Sequence, residues 1–175
     1  MTEPTHAAPI INRTFIQAPI DTVWATLVAT DKILPFFFGA ICETENGLRV
    51  KAKMRMVHPN RKIAMVVGEV LRFDPPTCYA HTFRMTNIDE PPCQVTYNLR
   101  EKDGGTEFEL VIENAVEGSE LLKQMKGGQR YIASNLKSVC ETGRPAISGR
   151  LMVLMAPVIA LFAKRKQRVK NWPLT

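Results

Sequence analysis

The sequence predicts an α+β fold: a curved antiparallel sheet of six to seven strands wrapped around a long C-terminal helix, with two short helices after strand one and an extra apolar helix at the end. Three observations predict it. Four consecutive runs rich in β-branched and aromatic residues, between Lys62 and Glu113, are joined by short turns carrying Pro or Gly, the pattern of an antiparallel meander. One stretch after Gly118 repeats its apolar residues at spacings of mostly three, four and seven, as one face of a long helix does. The length of 175 residues, with 45% hydrophobic and 23% charged residues, suits one soluble globular domain with trimmings.

Ile10 to Ile16 is short and β-rich, stops at Ala18-Pro19, and reads as the first strand. Pro19 suits the first turn of a helix, and Asp21 adds favourable negative charge there. Val23, Trp24, Leu27 and Val28 then recur at helical spacing, so a helix of about ten residues follows. Lys32 to Phe38, with Leu34, Phe36, Phe37 and Phe38 around Pro35 and Gly39 at its end, reads as a second short helix or turn forming a V with the first.

Leu48 to Val57 alternates strictly. Leu48, Val50, Ala52, Met54 and Met56 share one face, and Arg49, Lys51, Lys53 and Arg55 the other, which predicts a strand with one wet face. Lys62 to Phe73, Cys78 to Thr86, Gln94 to Lys102 and Thr106 to Glu113 supply four more strands. Gly118-Ser119 can cap the long helix, whose apolar face carries Leu121, Met125, Ile132, Leu136 and Val139 and which ends near Gly143. Its Gly127-Gly128 pair costs roughly 1 kcal/mol per Gly relative to Ala, and so marks a bend or a close approach.

This divides the chain into an N-terminal arm (1–9), a ligand-binding domain (10–143) and an apolar, basic extension (144–175). The net charge of +6 belongs to the extension. All 17 acidic residues precede Gly143, whereas Arg144, Arg150, Lys164, Arg165, Lys166, Arg168 and Lys170 follow it. Basic character confined to a tail is not the footprint of a nucleic-acid-binding face, so no nucleic-acid partner is expected. Cys42, Cys78, Cys93 and Cys140 lie far apart without a CxxC pair, and His6, His58 and His81 are scattered, so neither a metal nor an organic cofactor is expected. The N-terminus has no charged n-region followed by an apolar core, which points to a cytoplasmic location.

Four segments in order carry a family resemblance: IQAPIDTVWATL, GEVLRFDPP, LREKDGGTEFEL and LKSVCETGRP. Together they resemble the family related to the activator of heat-shock protein 90 ATPase. That family lies within the helix-grip (SRPBCC) superfamily of birch-pollen allergens, START lipid-transfer domains and polyketide cyclases. The resemblance spans roughly residues 10–143 and implies a helix-grip fold with a cavity between sheet and long helix. It implies no single activity, because members include binding proteins, stress-related factors and a minority of enzymes. Many members carry a Trp near the start of the last helix where this chain has Gln129, so a ligand contact by that Trp is not carried over.

Strand parity nominates the polar lining of such a cavity. Tyr79, His81, Phe83 and Met85 share a face, as do Met65, Val67, Glu69, Leu71 and Phe73, and Tyr97 lies between Val95 and Leu99. Glu69 and His81 facing one cavity have the chemistry of a general acid–base pair; their alternative role is a structural ion pair, or a bulge at Gly68 that turns Glu69 outward. The expected ligand-binding set is Trp24, Phe36, Phe37, Phe38, Met54, Met56, Val67, Glu69, His81, Phe83, Tyr97, Met125, Gly128, Ile132 and Leu136. The expected function is a carrier or sensor of an apolar, lipid-like or polycyclic small molecule. The alternatives are a cyclase- or dehydratase-type enzyme using Glu69 and His81, and a chaperone-associated stress-response partner.

The extension is uncharged from Leu151 to Ala163, then basic, then carries Trp172. A bilayer core needs about 20 helical residues, so this run does not span one, and Pro157 in its middle is expected to kink it. Two readings stand at this point. Leu151–Lys170 meets a membrane surface from the cytoplasmic side, or the segment packs on the domain or forms a homodimer contact.

Overall fold

Ile10–Ile16 (β1) forms the first strand, and Pro19 then opens the helix Ile20–Leu27 (α1), where Ile20, Val23, Trp24 and Leu27 make the buried face. The computed structural model describes residues 5–174, with the side chain of Ile159 left aside. The first four residues of the expected N-terminal arm therefore lie outside the described residues.

The second short helix does not form. Ile33–Leu34 (β2) pairs instead with Ala40–Thr44 (β3) across a tight turn. The Phe37 and Gly39 N–H groups both donate to the Leu34 carbonyl, and Phe38 and Gly39 take positive φ of 53° and 71°. Left-handed residues reverse the chain and stop a helix from propagating. Three consecutive Phe side chains thereby point in different directions: Phe36 and Phe37 are buried, and Phe38 is half-buried.

The remaining strands are Lys53–Val57 (β4), Ala64–Asp74 (β5), Cys78–Met85 (β6), Cys93–Lys102 (β7) and Gly105–Glu113 (β8). They make one antiparallel sheet of eight strands in the order β1-β8-β7-β6-β5-β4-β3-β2, more than the expected six to seven because the short β2–β3 hairpin joins its edge. The strand expected from Leu48 begins only at Lys53. Lys51 has φ 67° and its N–H donates to the Val70 carbonyl, so the alternating residues before it belong to a turn.

The long helix, Glu120–Thr142 (α2), lies against the concave face and buries Leu121, Leu122, Met125, Ile132, Ala133 and Leu136. Its N-terminal N–H groups are satisfied twice over. Ser119 accepts from Leu122, and the Glu90 carboxylate accepts from Glu120 and Leu121 at 3.0 and 2.8 Å. Gly143, at φ 72°, closes the other end. The helix runs unbroken through Gly127-Gly128, and a Cβ added at Gly127 would meet no atom within 4 Å. Gly127→Ala should therefore raise stability by about 1 kcal/mol, read as a higher urea midpoint.

The extension folds back. Ile147–Leu161 (α3) packs where Gly149 meets Asn135, and the His58 Nε2–H donates to the Ala156 carbonyl at 2.9 Å. Two single-turn 3-10 helices, Arg165–Gln167 and Val169–Asn171, then run along the convex face of the sheet. Val169 and Trp172 pack on Ile41, Val57 and Ala64. The Trp172 carbonyl accepts from Arg55, whose Nε–H pairs with buried Glu43, and the Arg84 guanidinium lies 5.5 Å from the indole centre. Trp172 is thus engaged on the domain itself rather than offered to a lipid interface.

Candidate ligand cavity

Pleating points alternate side chains of β5–β8 toward α2, and the Phe37–Phe38 turn meets both layers, Phe37 against Phe83 and Phe38 against Tyr131. Between them lies a cavity of about 390 Å³. Its floor is Met65, Val66, Phe83, Met85, Val95, Tyr97, Leu110 and Ile112; Phe37 and Phe38 form one wall. Gln124, Met125, Gly127, Gly128, Gln129, Tyr131 and Ile132 form the helical roof. The lining is almost wholly apolar.

An aromatic ring lies close to the second of the two roof glycines. The Phe38 ring stacks on Tyr131 with centroids 4.3 Å apart and planes 6° from parallel, and its Cζ lies 3.6 Å from where a Gly128 Cβ would sit. A Cβ at 128 would thus rest in ordinary van der Waals contact with the Phe38 ring. Gln129 Oε1 and Tyr131 Oη are buried and make no hydrogen bond among the described residues. A buried polar atom left unpaired costs about 1–3 kcal/mol, and both belong to residues of the cavity roof.

Of the residues expected to bind ligand, Phe37, Phe38, Phe83, Tyr97, Met125, Gly128 and Ile132 line the cavity. Trp24, Phe36, Met54, Met56 and Leu136 lie in the core beyond it. Val67 faces the other way and packs, as Val169 and Trp172 do, on Ile41, Val57 and Ala64. Glu69 is also turned to the convex face, in a groove with Lys53, Arg84 and Trp172. The cause is two irregularities in β5. Its register with β4 skips Met65 and its register with β6 skips Leu71, so Val66, Gly68 and Val70 face inward between ends of opposite parity. The expected pairing of Glu69 with His81 across one cavity therefore does not occur.

His81 is buried on the concave side, its ring 5.1 Å from Tyr79, 5.9 Å from Tyr97 and 6.2 Å from Phe83. It sits beneath the cavity floor rather than in its lining. Nδ1–H donates to the Thr82 carbonyl at 2.8 Å, leaving Nε2 as a bare acceptor without a partner among the described residues. Burial pushes its pKa down to about 4, partly opposed by that hydrogen bond. The imidazole is therefore neutral near pH 7, and neither ring nitrogen meets a carboxylate among the described residues. Among the described residues, no three His, Cys, Asp or Glu side chains converge as metal ligands.

Several lining residues lay outside the expected set. Val95, Leu110 and Ile112 share the inward parity of Tyr97, and Gln124 and Tyr131 lie one turn either side of Gly127-Gly128 on the helix. Both signals are present in the sequence. Met65 enters only because the bulge in β5 turns it.

A curved antiparallel sheet gripping a long C-terminal helix over an apolar cavity defines a helix-grip protein. The family described as activator of Hsp90 ATPase homolog 1-like protein matches residues 17–141, and the chain belongs to it. Solved structures share the fold at low identity. DynU16, from the dynemicin biosynthetic locus, superposes with TM-score 0.63 and 19% identity over 78% of this chain and 48% of its own, so this chain spans about half of that protein. CalU16 from Micromonospora echinospora gives 0.61 and 20% over 85% and 83%. Aha1 from Colwellia psychrerythraea, solved as a dimer, gives 0.63 and 13% over 78% and 98%. No curated protein matches the sequence.

Proposed function

We propose that this protein binds a small, largely apolar molecule between sheet and helix, as a carrier or sensor. The observation that carries the reading is an apolar cavity of about 390 Å³ whose roof holds two buried, unpaired polar atoms, Gln129 Oε1 and Tyr131 Oη. This volume lies within the usual range for small-molecule sites, and apolar burial at about 25 cal/mol per Å² supplies affinity. The two polar atoms orient the occupant, favouring a lipid-like or polycyclic molecule with a polar group at one end. A fold neighbour from a biosynthetic locus supports a small-molecule occupant.

Native mass spectrometry of the purified chain should reveal a co-purified small molecule, and an apolar fluorophore should bind and be displaced by it. Ile132→Trp fills the cavity and should weaken fluorophore binding at least tenfold with the far-UV spectrum unchanged. Undiminished binding by I132W would move the site elsewhere. Family membership favours one other reading, association with an Hsp90 chaperone, which stimulation of Hsp90 ATPase by the purified chain would test.

A further inference from the structure

The segment from Leu151 is apolar all round as a sequence, and the fold divides it into two faces. Met152, Val153, Ala156 and Ala160 turn toward the domain, Val153 so closely that a Cβ on Gly39 would come within 3.1 Å of its Cγ2. At about 100° per residue, Leu151, Leu154, Met155, Val158 and Leu161 fall within an arc of about 120° on the opposite side, and Phe162 follows just past the helix end. All six are exposed, Leu154, Leu161 and Phe162 by 74%, 82% and 81%. Contiguous apolar exposure of this kind marks an interaction surface.

We propose that this face of α3 docks the protein on an anionic lipid bilayer. Charge selects that occupant. Arg150 lies beside the apolar arc, exposed Lys164 and Arg165 follow its end, and no acidic residue occurs from Thr142 onward. A second copy of this chain would bring the same cations together across the contact, whereas anionic headgroups neutralise them. Geometry agrees. Fifteen helical residues extend about 22 Å, short of a hydrocarbon core of about 30 Å, and no helix among the described residues is long and apolar enough to cross a membrane. The helix therefore lies flat, its apolar side chains in one leaflet.

It is also held in a presenting position. His58 fixes the Ala156 carbonyl, and buried Asn135 donates to Ser148 Oγ at 3.1 Å. Because the opposite side of α3 abuts the turn that supplies Phe37 and Phe38, docking leaves the cavity wall behind the helix, about 10 Å from its lipid-facing side. The docking itself stands whether or not the cavity binds a ligand.

Sedimentation of the full chain with vesicles tests this, using phosphatidylcholine alone or with about one-third phosphatidylglycerol. The chain should pellet with the anionic vesicles at least tenfold better than with the neutral ones, and high salt should release it. L154E/L161E should lose at least tenfold in partitioning while keeping the parent's thermal midpoint, since both side chains are exposed. Lys164→Gln and Arg165→Gln should each cost roughly fivefold. A chain that stays in the supernatant with anionic vesicles, or L154E/L161E pelleting as well as the parent, would overturn the proposal. So would sedimentation equilibrium showing a dimer that L154E/L161E dissociates, which would assign the face to a second copy.

Discussion

Gly68→Ala is expected to lower folding stability by about 3 kcal/mol or more, at the upper end of overpacking substitutions, because the added methyl has nowhere to go. A Cβ at this position would lie 1.9 Å from the Thr82 carbonyl oxygen and 3.0 Å from its carbon, with Met54 Sδ at 3.4 Å on the other side. The first two atoms are backbone of the neighbouring strand, so no rotamer change relieves the contact. Strands β5 and β6 must part, in a stretch where the Glu69 N–H already donates to Thr82 Oγ1. The neighbouring inward residues Val66 and Phe83 line the cavity, so the same displacement reaches the ligand site. Urea unfolding would measure the effect, with Gly127→Ala as the control that moves the midpoint upward. G68A as stable as the parent would mean that the strands do not approach this closely.

The meander and the long helix were legible because each rests on a repeated local signal. In β7 and β8, Val95, Tyr97, Leu99, Phe108, Leu110 and Ile112 alternate without interruption, and parity alone orients them. In α2 the apolar spacing, the Ser119 cap and the Gly143 stop agree with one another. Strand β5 shows where parity fails. Met65 and Phe73 do reach the concave side, but a skipped residue near each end reverses the face between them. For that reason Glu69 leaves the cavity face, as the alternative of an outward turn had it, although the irregularities fall at Met65 and Leu71. A bulge is a tertiary accommodation of curvature, and here only Gly68 hinted at irregularity in the sequence.

The β2–β3 hairpin was hidden by its aromatic content, since Leu34 to Phe38 carries apolar residues that serve a turn as well as a helix. The extension was ambiguous for a related reason. Its apolar run fits burial or lipid equally until the partners of Val153, Ala156 and Trp172 are known, and the fold uses one face while leaving the other exposed. The unpaired atoms of Gln129 and Tyr131 were beyond sequence reasoning altogether, because a missing hydrogen bond is a property of the surroundings.

His81 should make the protein acid-sensitive through a single residue. Its ring is held neutral, with its pKa lowered from 6.5 to about 4 by burial. As pH falls through 6.5 the unfolded chain takes up a proton that the folded one refuses, so stability declines by about 1.4 kcal/mol per unit until the folded pKa is reached. The loss accumulates to about 3 kcal/mol between pH 6.5 and 4, and above that window His81 contributes no pH dependence. His81→Phe keeps an aromatic ring between Tyr79 and Tyr97, removes the unpaired Nε2 and gives up the Nδ1–H bond to Thr82. These changes oppose one another, so near pH 7.5 H81F should match the parent within about 1 kcal/mol. At pH 4.5 it should be the more stable of the two by about 2–3 kcal/mol. Carboxylates held below their usual range, such as Glu107 and Glu141, titrate alike in both proteins, so the difference between the two urea-stability curves isolates the imidazole. Curves that run parallel from pH 7.5 to 4.5 would show that His81 is not held neutral in the fold.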